Sequence, residues 1–220
     1  MTLARESYPY LGAGLVVAAA GAGLGFPYLA GGALLLSGFV AFFFRDPPRE
    51  IPSDPGVIVS PGDGRVVEIQ PLSLGAGTRI SIFLSLLDVH INRAPVAGRI
   101  RKIDYRRGRF LPANLSRAAF ENERNDIWLE SDLGPVRLAQ IAGVIARRIV
   151  CWKKEGELVG TGERIGLIQF GSRLEVILPP NARPEVVVGS KVKGGASVLA
   201  WAQVGRIHEE ERQLAPADTR

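Results

Sequence analysis

Between Glu6 and Arg45 the chain carries no charged residue, and beyond Arg45 short apolar runs alternate with turn residues. Tyr8 to Leu24 is an apolar run rich in alanine and glycine. Gly25-Phe26-Pro27 interrupts it, and Tyr28 to Phe44 is a second apolar run ending in Phe42-Phe43-Phe44. Each run approaches the roughly 20 residues that a helix needs to cross a bilayer core. A helical backbone would satisfy its own polar groups there. Residues 1–44 are therefore expected to form a helical hairpin associated with a membrane, spanning it twice or dipping into one leaflet, with both ends on one side. The glycines of the first run lower its helix propensity. A cleaved signal peptide fits poorly, because the uncharged stretch is too long and only Arg5 precedes it.

Residues 45–55, Arg-Asp-Pro-Pro-Arg-Glu-Ile-Pro-Ser-Asp-Pro, form a charged, proline-rich linker. The body, 56–220, shows short β-type runs broken by turns. Val57 to Ile69 reads as strand, turn, strand. Arg79 to Leu87, Val136 to Val144, Glu163 to Gln169 and Leu174 to Leu178 read as further strands. Ser116 to Glu123 is expected to be a short helix, and the pattern of Ala146 to Trp152 fits either type. The spacing of Gly189, Val192, Gly194 and Val198 resembles the turns of lipoyl- and biotinyl-type barrel-sandwich domains. Those carriers present a lysine beside a methionine, and the only methionine here is Met1. The expected fold is mainly β, with barrel-sandwich elements and an N-terminal apolar helical hairpin.

Composition sharpens this picture. The net charge is +5, and every lysine and arginine except Arg5 lies at or beyond Arg45. The positive-inside rule then places the body on the cytoplasmic face of a cell (inner) membrane. A basic body also gains about 1 kcal/mol per well-placed charge beside anionic lipid. The arginines are dispersed and no nucleic-acid motif is present, so no nucleic-acid partner is expected. The single cysteine, Cys151, excludes an internal disulfide. Two histidines and one cysteine assemble no metal-site spacing.

The candidate chemistry centres on Gly171-Ser172, between two apolar stretches. Such a serine can attack the carbonyl before it, and glycine leaves the approach open. Elimination from the resulting ester would split the chain and leave a ketone. Most Gly-Ser pairs are simply turns, and Gly189-Ser190 is a second copy. Asp63 sits in the turn Ser60-Pro-Gly-Asp-Gly64, where it can stabilise its own backbone. His90 follows a hydrophobic strand in Asp88-Val-His-Ile-Asn-Arg-Ala-Pro95; it can exchange protons near neutral pH or serve as a buried structural imidazole. His208 lies in a charged tail. Arg147 and Arg148 can meet a phosphate or carboxylate, or form a surface ion pair.

Phe43-Phe-Arg-Asp-Pro-Pro-Arg49, Ser60 to Gly64, Asp88 to Pro95, Glu121-Asn-Glu-Arg-Asn125, Ala146-Arg-Arg-Ile149 and Phe170-Gly-Ser-Arg173 occur in one order. Together they resemble phosphatidylserine decarboxylase, in its short bacterial and archaeal-type branch. The resemblance implies a proenzyme that cuts itself between Gly171 and Ser172. Residues 1–171 would become the β chain and 172–220 the α chain, with Ser172 converted to a covalent pyruvoyl group. It implies decarboxylation of phosphatidylserine to phosphatidylethanolamine and carbon dioxide through a Schiff base. His90 is then the expected proton donor, Asp63 or Asp88 the orienting or maturation group, and Arg93 or Arg147 the phosphate holder. Longer members carry a second histidine three residues after the first. Here that place is Arg93, which cannot act as a base near neutral pH. The maturation triad of the longer enzymes is therefore not carried over intact. Archaetidylserine or another aminoacyl phospholipid is the alternative substrate. A silent, membrane-anchored lipid-binding protein is the alternative function. A higher oligomer is compatible with the sequence.

Overall fold

The computed structural model describes residues 1–109, 121–143, 148–169 and 172–203. Two helices open the fold, α1 (Tyr8–Gly23) and α2 (Pro27–Phe43). Proline suits the first turn of each, because the N–H it lacks would have no partner there. Gly25, at φ +77°, makes the turn between them. Gly14 faces Ser37 so closely that a Cβ would collide with its hydroxyl, which lets the helices pack tightly. Among the described residues, no helix is long and apolar enough to cross a membrane.

Sixteen strands complete the described fold. In chain order they begin with β1 (Thr2–Leu3), β2 (Arg45–Asp46), β3 (Val57–Val59), β4 (Gly64–Pro71) and β5 (Thr78–Leu84). Next come β6 (Ile91–Arg93), β7 (Gly98–Arg106), β8 (Arg124–Ser131), β9 (Gly134–Ala142), β10 (Ile149–Cys151) and β11 (Leu158–Val159). The last are β12 (Arg164–Ile168), β13 (Ser172–Leu178), β14 (Ala182–Pro184), β15 (Lys191–Val192) and β16 (Val198–Ala202). An eight-stranded sheet runs β11-β7-β8-β9-β13-β5-β4-β15. Smaller sheets run β10-β12-β6, β14-β16-β3 and β1-β2. The architecture is mainly β with an N-terminal helix pair, as the apolar pattern predicts.

The large sheet curls. Register shifts between Val66 and Glu68, and between Ile100 and Lys102, are the irregularities that bend a strand and sharpen its twist. Its inner face carries the core. On β13 the period of two turns Leu174, Val176 and Leu178 inward, opposite Ile82 and Ile80 of β5 and Gln140 and Leu138 of β9. These meet Ile58, Ile165 and Leu199 from the small sheets, all without exposed surface.

The opposite face of the same strands is charged and also buried. Arg124 holds Asp126 through two hydrogen bonds of 2.8 and 2.9 Å and Glu175 through one of 3.0 Å. Arg173 binds Ser81 at 2.7 Å and Glu68 at 2.5 Å. Burial alone would raise the Asp126 pKa, but Arg124, with Arg106 beside it, holds it below the usual carboxylate range.

The strands expected at 79–87, 136–144, 163–169 and 174–178 are found at 78–84, 134–142, 164–168 and 172–178, with ends shifted by up to three residues. Residues 149–151 are strand, which resolves the ambiguous segment around Trp152. The expected helix at 116–123 lies largely outside the described residues.

Candidate active site

Ser172 opens β13, paired with Leu84 on one side and Ala142 on the other. Its side chain shares the inner face with Leu174. It has no exposed surface, and its hydroxyl has no hydrogen-bond partner among the described residues. An unsatisfied buried hydroxyl costs about 1–3 kcal/mol. This one stands at the sequence position singled out for attack on the preceding carbonyl. Gly171 itself lies outside the described residues.

Below Ser172 the inner face carries a chain of amides. The Asn125 Nδ2 donates to Gln140 Oε1 at 2.8 Å, and the Gln140 Nε2 donates to Asn92 Oδ1 at 2.8 Å. Asn92 donates in turn to the His90 carbonyl at 3.2 Å. All three amides are at most 1 % exposed. The strand end that carries His90 is thus tied to the strands flanking Ser172 on one side.

His90 is 1 % exposed. Its Nδ1 lies 2.9 Å from the Asp88 carbonyl, an acceptor, so Nδ1 carries the hydrogen and Nε2 the lone pair. Burial pushes the imidazole pKa down to about 4, against the opposing pull of the Asp88 carbonyl and charge. The ring is therefore neutral at neutral pH, the state that accepts a proton. A neutral imidazole becomes a donor only after it has taken one.

The two nominated carboxylates have partners elsewhere. Asp63 accepts both its oxygens' bonds from Arg49 Nη2, at 2.9 and 2.8 Å, and the Gly194 N–H at 2.8 Å. Asp88 accepts the backbone N–H and the hydroxyl of Ser85, at 2.8 and 2.7 Å. Neither bonds to the Ser172 hydroxyl. Both line one cavity of about 820 Å³, together with Ser85, Arg65, Lys191 and Lys193. Ser85 follows Leu84, the β5 partner of Ser172, so this cavity opens at the same end of the sheet.

Arg93 is 7 % exposed and points into the fold. It bonds to Asp46 at 2.7 Å and to the Gly162 carbonyl at 3.0 Å. Burial lowers its pKa, and the Asp46 charge opposes that. Arg147 lies outside the described residues. Arg49, Phe43 and the three amides were not expected to take part. Gln140 left a signal, as the one amide at an inward position of an otherwise apolar strand. Arg49 lies in the Phe43 to Arg49 segment that carries the resemblance, but nothing in its local pattern points to Asp63.

Comparison with known proteins identifies the family to which the chain belongs. The family model described as phosphatidylserine decarboxylase matches residues 36–200. A phosphatidylserine decarboxylase proenzyme of Beijerinckia indica is 44 % identical over 209 residues, covering 91 % of this chain and 90 % of the relative. Proenzymes of the same name from Ralstonia nicotianae and Ralstonia pickettii are each 44 % identical over 208 residues. In both cases 90 % of this chain and 94 % of the relative are covered. With the match running from the second helix through the last described strand, this chain belongs to the phosphatidylserine decarboxylase family.

Proposed function

We propose that the chain is a proenzyme that cuts itself between Gly171 and Ser172 and decarboxylates phosphatidylserine to phosphatidylethanolamine and carbon dioxide. The observation that carries this reading is the Ser172 hydroxyl, buried at the start of β13 and without a hydrogen-bond partner among the described residues. The relatives are named proenzymes, which fits a chain that matures by cleavage. In the cleavage, Ser172 Oγ adds to the Gly171 carbonyl carbon and the Gly171–Ser172 C–N bond breaks, leaving an ester and a free amine. Loss of the Ser172 α-proton expels the Gly171 carboxylate. Water then replaces the nitrogen, which leaves as ammonia, and a pyruvoyl group heads the α chain (172–220), with the β chain ending at 171.

The surroundings of Ser172 fit that group: an inward position closed off from water, with a polar atom that no described neighbour claims. When formed, it supplies a carbonyl that captures the substrate amine and accepts the electron pair released as carbon dioxide leaves. The chain's own residues do the rest. Neutral His90 takes the proton that the substrate ammonium must lose, at Nε2, and returns it to the α-carbon after decarboxylation. Asp88 holds the His90 tautomer through its backbone carbonyl and braces the loop through Ser85. Asp63 fixes Arg49 and the β15 turn around the cavity mouth. Arg93 is spent on Asp46, so we assign the lipid phosphate to the cavity cations Arg65, Lys191 and Lys193.

The hairpin is the membrane contact. Leu15, Val16, Tyr28, Leu34, Leu35 and Leu36 are all more than half exposed, which is an unusual load of apolar surface for water to cover. Helices of 16 and 17 residues rise about 24–26 Å, short of a hydrocarbon core of roughly 30 Å. The hairpin therefore dips into one leaflet, on the cytoplasmic side that the basic body favours.

Intact-mass measurement of the denatured protein tests the core of this reading. Two polypeptides split at 171/172 are expected, with an α chain that resists Edman degradation because its N-terminus is a ketone. An uncut chain would leave the silent lipid-binding reading standing. Cleavage with turnover only on archaetidylserine would change the substrate and keep the chemistry.

A further inference from the structure

His90 does not stand alone in the β body. The Phe43 ring, at the end of α2, lies against it with centroids 4.2 Å apart and planes inclined by 33°. Phe43 has no exposed surface. Phe44 meets Phe43 edge-on at 5.1 Å, and Tyr10 of α1 stacks on Phe44 at 6.1 Å. Phe43 and Phe44 join Ala4, Val40, Val89, Ile91 and Leu167 in one apolar cluster, in which hairpin and body are continuous. Arg45 clamps the same junction. Its guanidinium bonds to the Phe42 and Leu87 carbonyls, each at 2.7 Å, and lies 3.7 Å over the Phe42 ring.

We propose that Phe43 is a positioning residue for His90, so that the lipid-facing hairpin forms one wall of the reaction site as well as its anchor. The inference rests on the proton-carrying role given to His90 above. With one ring face covered by Phe43 and Nδ1 held by the Asp88 carbonyl, the imidazole has a fixed plane and a fixed tautomer. Among the described residues, Asp88 from its own loop and Arg45 from the hairpin end are charged groups that act on it. β12 presents Leu167 and Ile168, and β6 presents Ile91, all apolar. Phe43 thus supplies part of the burial that keeps the ring neutral.

The test uses the full-length, self-cleaved protein with dihexanoyl phosphatidylserine as a dispersed monomer, so that membrane docking is not needed for turnover. The variants are Phe43→Ala, which uncovers the ring, and Phe43→Leu, which keeps apolar volume without the flat face. His90→Gln is measured in parallel. Turnover of Phe43→Ala on the monomeric lipid should fall by about tenfold or more, within the range that acid–base catalysis supplies. The acid limb of its pH–rate profile should move up from near 4 towards 6.5. Phe43→Leu should fall between the two. If Phe43→Ala does not fold, Phe43→Leu decides alone. Parent-like turnover and acid limb in the Phe43 variants, with an inactive His90→Gln, overturn the positioning role and leave the hairpin as an anchor only. Parent-like turnover in His90→Gln overturns the role of His90, and this inference with it.

Discussion

The chain contains Gly-Ser twice, at 171–172 and 189–190, and the fold treats the two serines oppositely. Ser190 lies in a turn after Gly189 at φ +96°. Its hydroxyl accepts the Val187 N–H at 3.1 Å, and its own N–H returns a bond of 3.0 Å to the Val187 carbonyl. Its reactive atom is already used. Ser172 begins a central strand with no exposed surface and, among the described residues, no partner for its hydroxyl. The dipeptide is the same; the difference is whether the turn satisfies the hydroxyl or the sheet buries it unspent. What separates the two serines is hydrogen bonding, not the neighbouring residue in sequence.

The largest effect should come from removing the unspent hydroxyl. Ser172→Ala is expected to remain one polypeptide with no decarboxylation of phosphatidylserine, followed by gel mobility and carbon dioxide release. Cleavage in this variant would show that the break lies elsewhere and that Ser172 is only a buried serine.

Much of this contrast was legible in the sequence, and some of it was not. The hairpin, the strands at 134–142, 164–168 and 172–178, and the turn at Ser190 follow from local patterns of apolar and turn residues. β7 and β8 were not anticipated. Gly98–Arg106 carries Arg99, Arg101 and Lys102 on an exposed face, and a bulge at Ile100/Lys102 breaks its alternation. β8 hides Arg124 and Asp126 inside the fold, so its polar letters imitate a loop. The charges are affordable there only because each finds its partner on another strand, as Arg124 does with Glu175, 51 residues away. At the site, the sequence pointed to Ser172, His90, Asp63 and Asp88. It could not show that Arg49 would neutralise Asp63, or that Phe43 would cover His90, since both contacts join segments far apart along the chain.

The second largest effect concerns what holds Ser172 in place. Arg173 and Glu175 follow it on β13, on the opposite face, inside the ion network. Arg124→Met leaves Asp126 and Glu175 buried beside one another without their shared cation. It should lower stability by about 3–5 kcal/mol, the usual cost of breaking a buried pair from one side. Urea unfolding of the uncut Ser172→Ala form, with and without Arg124→Met, measures it. The same substitution in the cleavable chain should slow self-cleavage. Parent-like stability would mean the network is dispensable for the strand.

A smaller effect separates His90, the proposed proton carrier, from this ion network by pH. The His90 pKa is lowered by burial to about 4 in the fold, against 6.5 ordinarily. The unfolded chain therefore takes up the proton first as pH falls. The stabilising contribution of the neutral ring is full above 6.5 and is lost between 6.5 and 4. At pH 5 the loss amounts to about 2 kcal/mol relative to pH 7. The depressed Asp126 carboxyl contributes in the same direction but only at more acid pH, below about 4. Urea unfolding of Ser172→Ala at pH 7 and 5 should show this loss, and adding His90→Gln should abolish most of it. An equal loss in both proteins would assign the acid sensitivity to other groups.

The smallest effect closes the comparison from its other side. Ser190→Ala removes one hydrogen bond in a partly exposed turn, where the Val187 N–H can turn to water instead. A hydrogen bond of this kind contributes about 1 kcal/mol or less. The backbone bonds of the turn, from Gly189 N–H to the Val66 carbonyl and from Val66 N–H to the Ser190 carbonyl, do not depend on the side chain. The variant should therefore be cut at Gly171/Ser172 to the same extent as the parent and decarboxylate at the parent rate. Its urea midpoint should shift only slightly. The same Gly-Ser sequence would then be essential at one site and nearly neutral at the other. If Ser190→Ala instead stayed uncut while folding normally, the serine already used by its turn would prove to be part of the chemistry. Hydrogen-bond satisfaction would then fail as the criterion that separates the two.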